Sequence, residues 1–441
     1  MMYRILSRFP WSRWAVGIFC LTFCNPAPLL AEDFSFDVEE FEKQALETGG
    51  YAEFKWAHVN LNEQGALDWL SRNDNPTDTL EQLSATLQLK GTYVKEIGSL
   101  NWLLNASGYW SEDEWDGEVD VFEAYGFLKP TYNFNISLGK KAYKWGKGYA
   151  WNPVGFINRM KDPNNPDEAL EGYITTEAEV IKSFTGNLKT LALTGVLLPV
   201  TDDLNDDFGK EDNATNIAAK LYILFFDTDL YVMFFKGESK STRFGGDFSR
   251  NITSNFEVHG EYAYFPEWEK IYLQEDGDSA WREDAVHSYL FGIRHLTEFN
   301  LTSIVEYYHN GGGYSSEQMD EFYDLVDQGA VEFDETSMDT LLQKARKLGH
   351  QGYTKPYLGN DYLYGRFSLK EPWDMLYFTP ALTVIFNMDD KSYTITPELI
   401  YTGFTNWEIK LRFSMLGGGD ATEYGEKLNQ NKIELRVRWF Y

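Results

Sequence analysis

The feature of this sequence that most constrains its fold is a two-residue alternation of apolar and polar side chains. In the last ten residues the apolar set is Ile433, Leu435, Val437, Trp439 and Tyr441, and the positions between them include Glu434, Arg436 and Arg438. Similar alternation occurs at 407–415, 83–90, 217–223 and 256–264. Because successive side chains of a β-strand point to opposite faces, each segment predicts a strand with one apolar face. Segments of about 9–12 residues are long enough to cross a bilayer at a tilt.

The links between the predicted strands alternate between tight turns and long connections. The pattern gives about eighteen strands, within a range of roughly 16–18. The predicted long links are 62–82, 147–171, 201–213, 267–286, 310–360 and 417–431. Transmembrane barrels have short turns at one end and long loops at the other, and closure pairs every backbone group at membrane depth. We therefore predict an all-β fold, a single transmembrane antiparallel up-and-down β-barrel over residues 51–441 with a helical outer loop.

Composition agrees with a barrel and excludes other classes. The chain has 14 Trp, 28 Tyr and 31 Phe, and amphipathic aromatic rings settle at membrane–water boundaries. The net charge of −29 argues against a nucleic-acid partner, since phosphate recognition needs clustered Lys and Arg. No apolar run reaches the roughly 18 residues of a membrane-spanning helix, which excludes a helical membrane protein.

Residues 1–31 predict an export signal. Arginines precede a short apolar stretch at 14–23, and Ala31 offers a small residue before a plausible cleavage point. Residues 32–50 are then predicted to form a short periplasmic segment with a helical stretch at 38–47. Both cysteines lie within the signal, so the exported chain is predicted to have no disulfide.

Three features resemble Gram-negative outer-membrane porin-like proteins. The terminal strand resembles the assembly signal of that class, with Trp439 and the aromatic last residue Tyr441. The order Glu123-Ala-Tyr125, Leu138-Gly-Lys140, Trp145-Gly146 and Asn152-Pro153 is similar to an element of alginate-export-like and phosphate-selective-like porins and related uncharacterised barrels. The third is the stretch 34–51 before the first strand. The resemblance implies a bacterial outer-membrane location, contact with outer-membrane lipids and insertion by the barrel-assembly machinery.

The polar faces of the predicted strands place charges of both signs in the lumen. The candidate lumen and selectivity residues are Lys90, Glu123, Lys141, Lys220, Arg294, Glu306, Arg366, Glu398, Lys410, Arg412, Arg436 and Arg438. Opposed charges across a water-filled lumen create a transverse field that selects solutes by size and charge. We therefore expect a channel for passive or gated diffusion of small hydrophilic solutes. Alternatively, the charges pair and plug the lumen, which leaves a non-conducting structural or adhesive barrel.

An outer-membrane hydrolase is a further alternative. Among the six histidines, His309 precedes a run of three glycines and His287 follows two acids, but neither comes with a recognisable serine motif. We therefore predict no enzyme activity, no catalytic residue, no cofactor and no metal site. The acidic link 201–212 could collect divalent cations, although its spacing matches no defined ion loop.

Basic residues follow the strand predicted at 132–143. Lys140, Lys141, Lys144 and Lys147 gather near its end, where they could meet an anionic solute at the outer mouth. For Trp145-Gly146 we favour a structural role, in which the ring anchors the strand at the membrane interface and the glycine lets the chain turn.

Two amphipathic helices are predicted in the longest link, 310–360. The first begins at the capping pair Ser315 and Gln318. The second has the apolar stripe Met338, Leu341, Leu342, Ala345 and Leu348, and Gly349 suits its end. The helices either pack together over the outer mouth or fold into the lumen and constrict it.

Overall fold

The computed structural model describes residues 45–63, 65–71, 78–111, 114–209, 213–274 and 278–441. The predicted export signal and residues 32–44 of the predicted N-terminal segment lie outside these residues.

The described residues form eighteen antiparallel strands, each paired with its neighbours in sequence. The strands are β1 (Leu46–Leu61), β2 (Thr79–Lys95), β3 (Gly98–Ser111), β4 (Glu114–Thr131), β5 (Phe134–Lys141), β6 (Tyr173–Ser183), β7 (Leu188–Val200), β8 (Ala214–Phe225), β9 (Thr228–Lys236), β10 (Arg243–Thr253), β11 (Phe256–Leu273), β12 (Ser279–Leu296), β13 (Leu301–His309), β14 (Asp361–Leu369), β15 (Phe378–Asn387), β16 (Tyr393–Tyr401), β17 (Trp407–Gly417) and β18 (Asn429–Phe440). The last strand pairs with the first, so the sheet closes. The predicted all-β, up-and-down barrel is confirmed.

The seam between β1 and β18 is completed by the last residue of the chain. Tyr441 donates its backbone N–H to the carbonyl of Gly50, and its hydroxyl donates to the carbonyl of Gln88 at 2.8 Å. A Cβ on Gly50 would lie 2.3 Å from the Tyr441 hydroxyl, so only glycine allows this approach. The predicted pairing of Tyr441 with the first strand is confirmed, and its role as an assembly signal stays a prediction.

The first strand begins earlier than predicted. β1 starts at Leu46, and residues 46–50 pair with β2. The helical stretch predicted at 38–47 is therefore wrong for Leu46 and Glu47, and its earlier residues lie outside the described range. Ladder hydrogen bonds to β2 supply these backbone groups with partners that an isolated helical turn would lack.

Inward and outward side chains alternate as the two-residue period requires. On β17, Leu411 is 43 % exposed on the outside, whereas Lys410 is 8 % exposed on the inside. Large apolar side chains such as Leu193, Ile217 and Phe291 are likewise exposed on the outer surface. This apolar outer surface suits a bilayer, because lipid tails replace water around it.

Short turns lie at one end of the barrel and the longest links at the other. The long links include 62–78, 142–172 and 310–360. In outer-membrane barrels the end with long links is the outer end. The prediction of a long link at 267–286 is wrong, because β11 and β12 extend until Leu273 pairs with Ser279.

Three α-helices lie in the long links of the described residues: α1 (Ala66–Ser71), α2 (Ser316–Thr336) and α3 (Thr340–Leu348). The predicted capping pair of α2 is present, with reciprocal hydrogen bonds between Ser315 and Gln318. Two details of α3 are wrong. Met338 lies before the helix and is exposed, and Gly349 continues right-handed into a short π-helix. No helix in the described ranges is both long enough and apolar enough to cross a membrane.

Charge placed on the outer face of β17 should impair folding far more than loss of charge from its inner face. Leu411→Arg puts a cation in lipid, which costs about 2–4 kcal/mol near the bilayer midplane. Lys410→Leu removes a buried ammonium and with it a desolvation penalty, so its net cost should be small. The refolding yield of each variant in detergent, read from heat-modifiable gel migration, measures the effect of each substitution. Equal yields would contradict the assigned facing.

Candidate functional site

The link between β5 and β6 folds into the lumen, and we refer to residues 142–172 as the lumen insert. At its centre Val154, Phe156 and Ile157 are no more than 1 % exposed. They pack with inward side chains of β7 to β11, including Val196 and Phe235. Apolar contact therefore holds the insert against this half of the wall. The prediction of an outer loop at 147–171 is wrong in this respect.

Glu261 of β11 anchors the near end of the insert. Its carboxylate accepts hydrogen bonds from the backbone N–H groups of Lys147 at 2.5 Å, Gly148 at 2.6 Å and Val154 at 3.3 Å, and from the Asn152 amide at 2.8 Å. The side chain is buried. Several hydrogen-bond donors of this kind stabilise a buried carboxylate. The N–H groups exposed by the bend of the insert therefore compensate the negative charge of Glu261.

Glu306 of β13 anchors the next two residues of the insert. It accepts from the N–H groups of Tyr149 at 2.6 Å and Ala150 at 2.9 Å. His259 Nε2 lies 2.8 Å from the same carboxylate, and its ring is 5.5 Å from the Tyr149 ring. Glu306 was predicted as a lumen residue, and the structure brings it onto the insert backbone.

Trp145 and Gly146 turn the chain inward. Trp145 is 3 % exposed and packs in the apolar cluster inside the barrel, so its predicted place at the membrane interface is wrong. Gly146 has φ +102°, and a Cβ there would lie 2.6 Å from the Glu261 carboxylate. Glycine is required here by both the backbone conformation and the close approach.

The insert also contacts the opposite wall. The Trp151 ring stacks on Tyr308 of β13 at 5.1 Å and meets the ring of Tyr364 of β14 at 6.0 Å. Further along, Arg412 of β17 donates to the carbonyl of Asn164 at 3.1 Å. The insert therefore reaches from β5 and β6 across the lumen to β17.

Residues 315–358, which we call the helical cap, lie across the outer mouth. Their buried face packs on Ile271 of β11 and on Ala66 of α1, the helix in the link between β1 and β2. Arg346 of α3 donates to the carbonyls of Trp69 and Leu70. Since α1 follows β1, and β1 and β11 stand on opposite sides of the ring, a segment that contacts β11 and α1 extends across the mouth. Of the two predicted arrangements, this is packing over the mouth.

A cavity of about 380 Å³ lies between the insert, the cap and the rim of β10 to β12. Six basic side chains line it, together with one acidic side chain, Glu269. The basic residues are Arg159, Lys161, Lys240, Arg243, Lys270 and Lys355. The aromatic lining residues are Trp151, Phe156, Trp268, Trp281, Tyr308, Tyr314 and Tyr357. A basic, aromatic cavity in a chain of net charge −29 is a local reversal of the protein's overall charge.

Three residues that line the cavity each carry a buried polar atom with no hydrogen-bond partner among the described residues. These atoms are Trp151 Nε1, Arg243 Nε and Gln351 Oε1. A buried polar group without a partner costs about 1–3 kcal/mol. Two donors and one acceptor in one cavity favour a polar ligand that satisfies them.

The cations of the cavity differ in their environment. Arg159 is paired with Glu171 and Asp207, whereas Lys240 lies over the Phe208 ring at 3.6 Å. Burial, with the neighbouring Arg243 guanidinium, lowers the pKa of Lys240 to about 7. Removal of a charged ammonium from water favours its neutral form.

The predicted lumen charges of β14 to β18 lie inside the barrel and mostly pair. Glu398 accepts hydrogen bonds from Arg412 at 2.8 Å and from Arg366 at 3.2 Å. Arg436 contacts Glu408 at 2.7 Å, and Arg438 contacts Glu53 of β1 at 2.6 Å. Lys410 is buried beside them. Paired charges of this kind match the alternative in which the wall charges compensate one another.

Three predicted lumen residues adjoin the start of the insert. Glu123 accepts from the Ala142 N–H at 2.9 Å. Lys141 pairs with Glu177 at 2.7 Å. Lys220 lies 5.3 Å from the Trp145 ring centroid. Their part in solute selection stays a prediction.

Lys90 lies away from this network, whereas Arg294 adjoins Tyr149 of the insert. Lys90 is exposed near the short-turn end of β2, and Arg294 is 3.9 Å from Glu257. The structure therefore does not gather all twelve predicted residues at one constriction.

The two histidines considered for hydrolysis lie near the outer rim among aromatic rings. His309 Nδ1 is 2.9 Å from Asp361 and its ring stacks on Tyr289. His287 stacks on Tyr264. In the described residues no group of three or more metal-ligating side chains is placed to hold an ion, and residues 210–212 of the acidic link lie outside them.

Sequence reasoning missed the insert and the cavity. Residues 145–157 include two Trp, one Tyr and one Phe and contain no acid. Such an apolar, acid-free stretch is unusual for an outer loop in an acidic chain and indicates burial. The sequence around Lys240 and Arg243 has no comparable pattern that would indicate a binding site. The cavity that they line forms only when segments distant in sequence come together.

The sequence matches no protein-family model and no curated protein. Solved structures with a similar fold include mutants of the Rhodopseudomonas blastica porin, at TM-score 0.43 and 10% identity over 90% of this chain and 100% of that chain, and OccAB3 of Acinetobacter baumannii, at 0.48 and 10% over 90% and 99%. Wzi of Escherichia coli, described as a carbohydrate-binding outer-membrane β-barrel involved in group 1 capsule assembly, matches at 0.50 and 10% over 88% of this chain and 83% of that chain. The fold is that of a porin-like bacterial outer-membrane barrel. At such identity the likeness concerns the fold of the barrel alone.

Proposed function

We propose that this outer-membrane barrel is a surface saccharide-binding protein whose lumen is closed in the resting state. The observation that carries the proposal is the basic, aromatic cavity between the lumen insert and the helical cap. It is a form of the non-conducting, adhesive alternative that the sequence leaves open.

Closure of the lumen favours binding over diffusion. The insert crosses from β5 to β17, and the cap spans the outer mouth above it. An eighteen-strand barrel otherwise leaves an aqueous channel. Two separate segments that cross this space favour a binding role over passive diffusion.

The cavity lining suits a sugar better than an apolar ligand. Pyranose rings present C–H faces that pack on aromatic side chains such as Trp281 and Tyr357, while their hydroxyls exchange hydrogen bonds with groups such as Gln351. The unpartnered donors and acceptor described above supply such groups. Carbohydrate is also the ligand class named for the Wzi barrel, although the cavity chemistry supports the proposal here.

A diffusion channel is the second candidate. The wall of β17, β18 and β1 carries the charged network around Arg412, Arg436 and Glu53, and a polar wall of this kind is what hydrophilic solutes pass in channels. A movable insert would open that wall to solutes. The absence of enzyme activity stays a prediction.

Truncation of a cavity tryptophan should weaken saccharide binding. Trp281 is half exposed and lines the cavity, so Trp281→Ala should fold and lose about tenfold in affinity, as expected when a stacking ring is removed. Trp373→Ala, at an exposed turn on the opposite end, is the matched control. Calorimetric titration of detergent-solubilised barrels with neutral and acidic oligosaccharides measures both. Failure of every oligosaccharide to bind the intact barrel would refute the proposed function.

A further inference from the structure

Arg243 is the most unusual cation of the cavity. It begins β10, and its guanidinium carbon lies 5.7 Å from the ring centroid of Phe235 and 5.3 Å from that of Phe265. Its Nε is buried and has no hydrogen-bond partner among the described residues. Contact with two aromatic rings restricts the orientation of the guanidinium and leaves its N–H groups available to a planar anionic group.

Lys240 brings a second positive charge to the same cavity. It lies in the link before β10. The carboxylate of Asp207 acts on Lys240 electrostatically, but its ion pair is with Arg159. Within the described ranges no carboxylate lies at ion-pair distance from either Lys240 or Arg243. Two like charges in a partly enclosed cavity repel each other, and an anion bound between them would relieve that repulsion.

We propose that Arg243 and Lys240 form an anion subsite that binds the charged substituent, carboxylate or phosphate, of an acidic saccharide. The proposal rests on the proposed saccharide-binding function and names the ligand's chemical class. Arg donates two parallel N–H bonds to such a group, and Lys adds a point charge. The aromatic side chains of the cavity then pack on the sugar ring to which the anion is attached.

The subsite should be sensitive to pH around and above neutrality. The charged groups that act on Lys240 are Arg243, Arg159 and Asp207. Because the pKa of Lys240 is lowered to about 7 in the free protein, the ammonium loses its proton as pH rises from about 6 to 9. Affinity for an acidic sugar should fall over that interval, while affinity for a neutral sugar should stay constant.

Trigalacturonate and its methyl ester test the subsite, because they differ in charge and share their rings. We expect the affinity of the intact barrel for the acid to exceed its affinity for the ester by about tenfold or more. This is the scale of a charge-assisted bidentate contact. Glucose 6-phosphate against glucose is the second arm, and the arm with the larger preference identifies the anion. Calorimetry at two pH values on either side of neutrality reads out both arms.

Substitutions assign the preference to the two residues. R243Q and K240Q should each reduce affinity for the preferred acid and leave the neutral sugar unchanged, whereas R250Q, on an exposed position of the same strand, should change neither. Heat-modifiable migration verifies folding, and K240Q serves if R243Q does not fold. Equal binding of charged and neutral sugars would overturn the anion subsite and leave saccharide binding intact. Absence of all sugar binding would overturn both.

Discussion

Barrels that lack both the lumen insert and the helical cap should conduct ions, whereas the intact protein should remain silent. Replacing residues 146–170 with a short Gly-Ser linker removes the insert, and deleting 315–349 removes the two helices. Eighteen-strand barrels with an unfilled interior leave an aqueous channel. Planar-bilayer recording should therefore change from a flat baseline to discrete conductance steps.

Each single deletion is the control for the double deletion. The barrel without the cap should stay closed by the insert, which crosses to Arg412, and the barrel without the insert should stay covered by the cap. Conductance steps from the intact protein as large as those from the double deletion would show that neither segment closes the lumen. Diffusion through a channel would then replace the proposed function. A folded but silent double deletion would show that the paired wall charges suffice to block conduction.

Glu261→Ala should release the near end of the insert and destabilise the protein strongly. The substitution removes the acceptor of three backbone N–H groups and of the Asn152 amide. Each buried donor left without a partner costs roughly 1–3 kcal/mol, so the sum exceeds the expected cost of charge on the lipid face. Amide hydrogen exchange should increase at residues 147–154 and remain slow in the strands.

Two further variants separate the hydrogen bonds from a general effect of charge. Glu118→Ala removes an exposed glutamate of β4 and should leave exchange in the insert unchanged. Glu261→Gln keeps one acceptor oxygen and should fall between wild type and alanine. Unchanged exchange at 147–154 in Glu261→Ala would mean that apolar packing of Phe156 and Ile157, together with the Glu306 hydrogen bonds, is enough to hold the insert.

The strands were predictable from the sequence because their signal is local. Alternation around Leu411 specifies both a strand and its facing, and the lipid outside imposes an apolar residue at every second position. The capping pair Ser315 and Gln318 is equally local and marks the start of α2. The start of β1 was misplaced because Leu46 and Glu47 are extended by pairing with β2, which their own composition does not specify.

The site could not be predicted in the same way because its contacts are distant in sequence. Glu261 and Lys147 are 114 residues apart in sequence, and Glu306 and Tyr149 are 157 residues apart. Inward facing of Glu306 follows from alternation, but nothing local distinguishes a glutamate that faces water from one that binds a folded-in loop. Trp145 was assigned to the membrane interface for the same reason, since a tryptophan at a strand end suits either environment.

The reach of the lumen insert sets an order of events during assembly. The insert leaves the wall after β5, yet one of its contacts, between Asn164 and Arg412, joins residues 248 positions apart. That contact requires β17, and therefore nearly the whole ring, to be in place before it forms. The contacts of the insert with Glu261 and Glu306 involve earlier strands and become available before that stage. The near end of the insert can therefore be fixed while the ring is still growing, and the Asn164 end is fixed last, when β17 completes its binding position.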